Sequence, residues 1–180
     1  MSASNHTPVE EAQHIRYHLA AAQLLEEGSA ERLALRVQGT SMVPTLRPGD
    51  TVFVERVAAH ELRVGDLVVW QDGHRYVVHR LVACSPAGPL YTKGDNVTVL
   101  DPPVSTQALL GRVVLVERGK QRVKLRTGWA TLAAKLMAWW GRLEARLAPA
   151  TGWRPLCPLR RAYRLARNWL WRLLSRLVAL

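Results

Sequence analysis

The sequence is short of several things that would direct its reading elsewhere. It has two cysteines, Cys84 and Cys157, which give neither a disulfide framework nor a metal-ligand spacing. No metal and no cofactor is therefore expected, and a lone thiol pair suits a reducing compartment. No stretch reaches the roughly 20 apolar residues needed to span a bilayer. The N-terminus lacks a basic segment followed by an apolar one, so no signal peptide is read there. Those two absences lead to the expectation of a protein on the cytoplasmic side. Acids are scarce after Glu117: from Arg118 onward, 15 Lys and Arg stand against one acid, Glu144. Residues 1–117 hold 10 basic and 13 acidic residues, so the net charge of +11 belongs to the C-terminal part. That asymmetry points to an anionic partner for the tail, either a membrane surface or a nucleic acid.

What is present falls into three zones, 1–32, 33–126 and 127–180. Residues 8–27 carry helix formers, with Ile15, Leu19 and Ala22 at helical spacing and Gly28 as a stop. The middle zone reads as β. Val-rich runs at 33–37, 51–57, 66–70, 75–83, 89–92, 111–117 and 121–126 are separated by Gly, Pro and Asp. Seven short strands in so little chain predict a mainly β domain, barrel-like or sandwich-like. The last zone is helical in pattern and holds six of the seven tryptophans. Within the β zone, Leu46-Arg47-Pro48-Gly49-Asp50-Thr51-Val52 echoes Leu62-Arg63-Val64-Gly65-Asp66-Leu67-Val68. Each reads as a tight turn launching a strand, with Gly taking positive φ and Asp capping the turn.

Chemistry begins at Gly39-Thr40-Ser41-Met42-Val43-Pro44-Thr45, where Gly and Pro hold a hydroxyl outside regular structure at a strand end. Alone, this is a polar turn. His79 follows in the apolar run Tyr76-Val77-Val78-His79-Arg80-Leu81-Val82, so it lies on a strand; alone, it is a structural histidine. Thr92-Lys93-Gly94-Asp95-Asn96 and then Asp101 complete the set, and each of these is also ordinary turn chemistry.

Taken together and in this order, the three boxes resemble the type I signal peptidase family, within the LexA and signal-peptidase superfamily. The likeness is to its serine–histidine branch, of the archaeal and endoplasmic-reticulum type. It covers roughly residues 33–117. Ser41 and His79 stand 38 residues apart and Asp95 and Asp101 six, as that branch implies. Related bacterial signal peptidases and LexA-type autoproteases use a lysine base. The lysines here are Lys93, Lys120, Lys124 and Lys135, so none falls between Ser41 and residue 92, and His79 stands where the base is expected.

The resemblance implies a β catalytic domain of the signal-peptidase and LexA type, flanked here by a short N-terminal helix and two C-terminal amphipathic helices. It implies a serine endopeptidase acting on a peptide or protein substrate, with a preference for small residues before the scissile bond. A serine hydroxyl needs a base within hydrogen-bond reach, and an imidazole can take its proton and return it to the leaving amine. A carboxylate on the other ring nitrogen fixes the tautomer. Asp101 is favoured for that part, with Asp95 organising the turn behind the site or sharing in the chemistry. The oxyanion- and substrate-binding candidates are Gly39, Thr40, Met42 and Pro44. The resemblance implies the Ser41 N–H as oxyanion donor, helped by a hydroxyl two residues earlier, yet Gly39 has no side chain. The family's usual N-terminal spanning helix is also missing, since Glu10, Glu11, Glu26, Glu27 and Glu31 populate that region. A second reading is a non-catalytic peptide-binding or membrane-surface module on the same fold.

The tail offers another route to a membrane. Leu159, Tyr163, Ala166, Leu170, Leu173, Leu177 and Leu180 form one stripe, with Arg161, Arg164, Asn168 and Arg172 opposite and Trp169 and Trp171 nearby. That pattern suits a helix lying on an anionic membrane through residues 159–180. An earlier stripe, Trp129, Leu132, Leu136, Trp140, Leu143 and Leu147, is set apart by Pro149, Gly152, Pro155 and Pro158. Packing of both stripes on the β domain is the competing reading. Nucleic acid ranks third as a partner, because charge is present without a recognised motif.

Overall fold

Among the described residues, seven strands and one long helix form the main architecture, with two short 3-10 turns. The computed structural model describes residues 32–85, 88–125, 129–150 and 169. The helix expected at 8–27 and the stripe from Leu159 to Leu180 lie outside the described residues, Trp169 apart. The strands are β1 (Leu33–Arg36), β2 (Thr51–Glu55), β3 (Leu67–Asp72), β4 (Arg75–Cys84), β5 (Leu90–Lys93), β6 (Leu109–Arg118) and β7 (Gln121–Lys124). Helix α1 (Trp129–Ala150) follows. The fold is mainly β, as the alternation and turn signals indicate.

All pairings between strands are antiparallel, in the order β1-β2-β6-β3-β4-β5, with β7 also on β6. The long β6 organises the sheet. Arg112 pairs with Glu55 of β2 and with Val68 of β3, so those strands lie on its two edges. Beyond that point, Leu115–Arg118 take up β7. Register shifts fall between Phe53 and Val54, between Val69 and Trp70, and between Leu81 and Ala83. Such bulges sharpen the twist.

Side-chain alternation feeds two apolar clusters. Leu67 and Val69 of β3 join Leu35, Val52, Val54, Val113 and Val116 on one side. Val68 and Trp70 join Leu62, Leu81, Leu90 and Val104 on the other. Strand β3 is buried on both faces, which is why it reads as an unbroken apolar run instead of an alternating one.

The sequence echo is also a geometric echo. Asp50 Oδ2 accepts from the Arg47 N–H at 2.8 Å, and Asp66 Oδ2 accepts from the Arg63 N–H at 2.8 Å. Gly49 and Gly65 follow with φ of 94° and 103°. Each turn launches the next strand, and the first of them sets the exit of the segment carrying Ser41.

Helix α1 lies against β4 and the Gly65 turn. A Cβ at Gly65 would sit 2.9 Å from the carbonyl carbon of Ala134, so the backbones touch. The buried side of α1 is Ala133, Met137, Ala138 and Gly141. The large apolar stripe is therefore not the packing face as a whole: Leu132 and Leu136 point outward, each 48% exposed. Close approach over the Gly65 turn favours the small-residue side.

Candidate active site

Ser41 lies in the turn between β1 and β2, in a stretch without regular structure. The Met42 carbonyl accepts from the Leu46 N–H at 2.9 Å, and the Thr40 carbonyl from the Val43 N–H at 3.1 Å. The Val43–Pro44 peptide is cis. These contacts fold the segment back on itself and leave Ser41 half-buried. His79 is on β4, whose pairing with β3 and β5 fixes its backbone.

Ser41, His79 and Asp101 meet. His79 Nε2 is 3.0 Å from Ser41 Oγ, and His79 Nδ1 is 2.6 Å from Asp101 Oδ2. With the proton on Nδ1, the ring donates to Asp101 and accepts from the Ser41 hydroxyl. Asp101 is itself held: the Thr92 hydroxyl donates to Oδ2 at 2.6 Å, and the Asp101 N–H donates to the Thr92 carbonyl at 3.0 Å. His79 is buried and Asp101 partly so, which strengthens these bonds relative to water.

A family model described as Peptidase S24-like matches residues 2–121, two thirds of the chain. The chain belongs to the Peptidase S24-like family. Membership in the Peptidase S24-like family supports serine-peptidase chemistry in general. No curated protein matches the chain.

The remaining candidate residues of this Peptidase S24-like chain divide sharply. Asp95, the candidate for either a share in the chemistry or the turn behind the site, is paired with Arg80 and Thr45. Its carboxylate accepts from Arg80 Nε at 2.9 Å and Arg80 Nη2 at 2.8 Å, and from the Thr45 hydroxyl at 2.6 Å. It therefore ties β4 to the loop carrying Ser41. Met42, expected to face substrate, is 1% exposed and packs in the first core cluster. Its Sδ accepts from the Asp95 N–H at 3.4 Å. An unbranched apolar side chain next to a core is drawn inward by burial. Thr40 is exposed and Pro44 half-buried. A Cβ at Gly39 would meet nothing within 4 Å, so the position that could carry a hydroxyl is open.

Sequence reasoning had missed the parts played by Thr92, Gly94 and Asn96. The Asn96 N–H donates to the Ser41 carbonyl at 2.7 Å and its Nδ2 to the Thr40 carbonyl at 3.3 Å, bracketing the Ser41 backbone. At Gly94 a Cβ would lie 2.9 Å from the Ser41 carbonyl oxygen and 3.0 Å from His79 Nε2. Only a residue without a side chain lets the two loops close. The one available signal was that these three belong to the same short box.

The turn below Ser41 carries the site's clear electrostatic anchor. Asp50 is buried, which by itself would raise its carboxyl pKa. Bonds from Arg118 Nε at 2.9 Å and Nη2 at 2.6 Å, and from the Arg47 N–H, outweigh burial and hold it below the usual carboxylate range. The same bond holds the Arg118 guanidinium above its ordinary value. Arg118 Nη2 also donates to the Thr45 carbonyl at 3.0 Å, linking β6 to the loop carrying Ser41. No cluster of metal-binding side chains occurs among the described residues.

Proposed function

We propose that this chain is a serine endopeptidase of signal-peptidase type, of the serine–histidine branch, using Ser41, His79 and Asp101. The observation that carries the reading is the continuous contact from Ser41 Oγ through the imidazole to Asp101 Oδ2. His79 Nε2 takes the hydroxyl proton as Ser41 Oγ attacks the scissile carbonyl. Asp101 holds the tautomer and stabilises the imidazolium that forms. Collapse of the tetrahedral intermediate breaks the C–N bond, and His79 returns the proton to the leaving amine. A water activated by the same imidazole then releases the acyl group from Ser41. The Ser41 N–H serves as an oxyanion donor, and the open space at Gly39 leaves room there for water. Small residues before the scissile bond fit this reading.

A lysine base has little support. Lys93 is buried, donates to the Gly94 carbonyl at 3.3 Å and lies beside Gly141 of α1. Among the described residues, His79 is the basic group bonded to Ser41 Oγ.

The test is labelling by a fluorophosphonate, followed by mass spectrometry. The expected adduct is on Ser41, is lost in Ser41→Ala, and forms far more slowly in His79→Ala. A folded protein that takes no adduct would favour the non-catalytic peptide-binding reading on the same fold.

A further inference from the structure

Helix α1 is apolar on two opposite sides. Ala133, Met137, Ala138 and Gly141 are buried against the sheet. Leu132, Leu136 and Trp139, at spacings of four and three, share the other side and are 48%, 48% and 60% exposed. A helix at the surface of a folded domain normally turns its charged side to water, and an outward leucine and tryptophan stripe marks a binding surface. This stripe has a basic border. Lys135 and Arg142 lie one turn to either side of Trp139, Arg146 lies one turn further, and all three are exposed. Glu144 is the one acid in the helix sequence.

We propose that this outward face of α1 docks on an anionic lipid surface. The three apolar side chains enter the boundary between headgroups and acyl chains, and Lys135, Arg142 and Arg146 meet lipid phosphates. A basic amphipathic face carrying a tryptophan suits a helix lying in the plane of the interface. Helix α1 lies along the domain, so its flank and not its end is offered. This inference stands independently of the peptidase chemistry.

Charge selects the occupant. Residues 151–180 of this chain also carry an apolar stripe, but with seven arginines and no acid. Seating them on α1 would bring like charges against Lys135, Arg142 and Arg146. A second copy of the helix would bring its own cations to the same seam. An anionic leaflet satisfies the stripe and its border together, since basic residues are drawn to its surface potential.

The test uses the full chain with vesicles of phosphatidylcholine alone and of phosphatidylcholine mixed equally with phosphatidylglycerol. Sedimentation should show binding to the mixed vesicles that weakens as the Debye length shrinks from ~10 Å at ~0.1 M salt to ~3 Å at ~1 M. Leu136→Ser with Trp139→Ser should lower the partition coefficient about tenfold or more, because each removes apolar area from the buried face. Lys135→Gln with Arg142→Gln and Arg146→Gln, which leave the apolar stripe intact, should lower the preference for anionic vesicles about tenfold or more. Wild-type pelleting by both variants would overturn the proposal and assign any binding to residues 151–180. Failure of the unaltered chain to bind would overturn it outright. A dimer seen by sedimentation velocity without lipid, and lost in the Leu136 and Trp139 variant, would overturn it in favour of a second copy.

Discussion

Asp95 and Asp101 stand six residues apart, and their substitution should have opposite consequences. Asp95 and its partner Arg80 have side chains 1% and 3% exposed. Asp95→Ala removes both acceptors of the Arg80 fork and the acceptor of the Thr45 hydroxyl. Arg80 Nη1 keeps its bond to the Gly65 carbonyl at 2.8 Å, so the guanidinium stays inside without the Asp95 carboxylate. Breaking a buried pair in this way costs about 3–5 kcal/mol. At roughly 2–4 °C per kcal/mol for a chain of this size, the melting midpoint should fall by about 10 °C. Asp101→Asn keeps the shape of a partly exposed side chain and should cost about 1 kcal/mol. Its effect should fall on chemistry, slowing acylation of Ser41 by about four orders of magnitude through the wrong imidazole tautomer. Thermal unfolding followed by circular dichroism gives the first quantity, and the rate of fluorophosphonate labelling gives the second. An Asp95→Ala protein that melts with the wild type but labels like Asp101→Asn would refute the division of labour.

Two further outcomes follow from the same geometry. Gly94→Ala should slow acylation of Ser41 by about a hundredfold, because its Cβ must push the Ser41 carbonyl or the His79 ring off line; labelling at the wild-type rate would show that the loops have slack. Asp50, whose carboxyl is held low in the folded state, contributes stability that is complete above the unfolded pKa and is lost as pH falls through the folded one. Asp50→Asn should therefore melt below the wild type near neutrality, with the gap closing on the acid side of the ordinary carboxylate range; a gap unchanged by acid would exclude the Arg118 pair as its source.

The β zone was legible because its turns are written in residues with one local meaning. Gly49 and Gly65 take positive φ, and Asp50 and Asp66 close their turns, so the starts of β2 and β3 follow. Strand ends were less legible. β3 runs on through Gln71 and Asp72 because the backbone ladder with β4 continues to Arg75, although apolar periodicity stops at Trp70. Within the site, Ser41, His79 and Asp101 could be read because they sit in ordered boxes. Their supports could not, because the contacts bridge distant positions: Thr45 reaches Asp95 across 50 residues and Asn96 reaches Thr40 across 56. Met42 and α1 show another limit. Apolar residues lie on both sides of α1, so periodicity alone does not say which side meets the sheet. Contact at the Gly65 turn decides it, and that contact is tertiary.

One strand register holds both halves of the site in place. His79 and Arg80 are neighbours on β4, so their side chains leave on opposite faces. His79 reaches Ser41 and Asp101, while Arg80 reaches Asp95 and the Gly65 carbonyl. β5 pairs with the same stretch, Arg80 with Lys93 and Leu81 with Thr92, and then runs directly into the loop that carries Asp95, Asn96 and Asp101. A slip of one residue would exchange the two faces. It would turn a guanidinium toward Ser41 and an imidazole toward the buried carboxylate. The Arg80–Asp95 pair resists that slip, because only the observed register gives both buried charges a partner. The pair sits on the face of β4 opposite His79, yet it determines which side chain of β4 the serine meets.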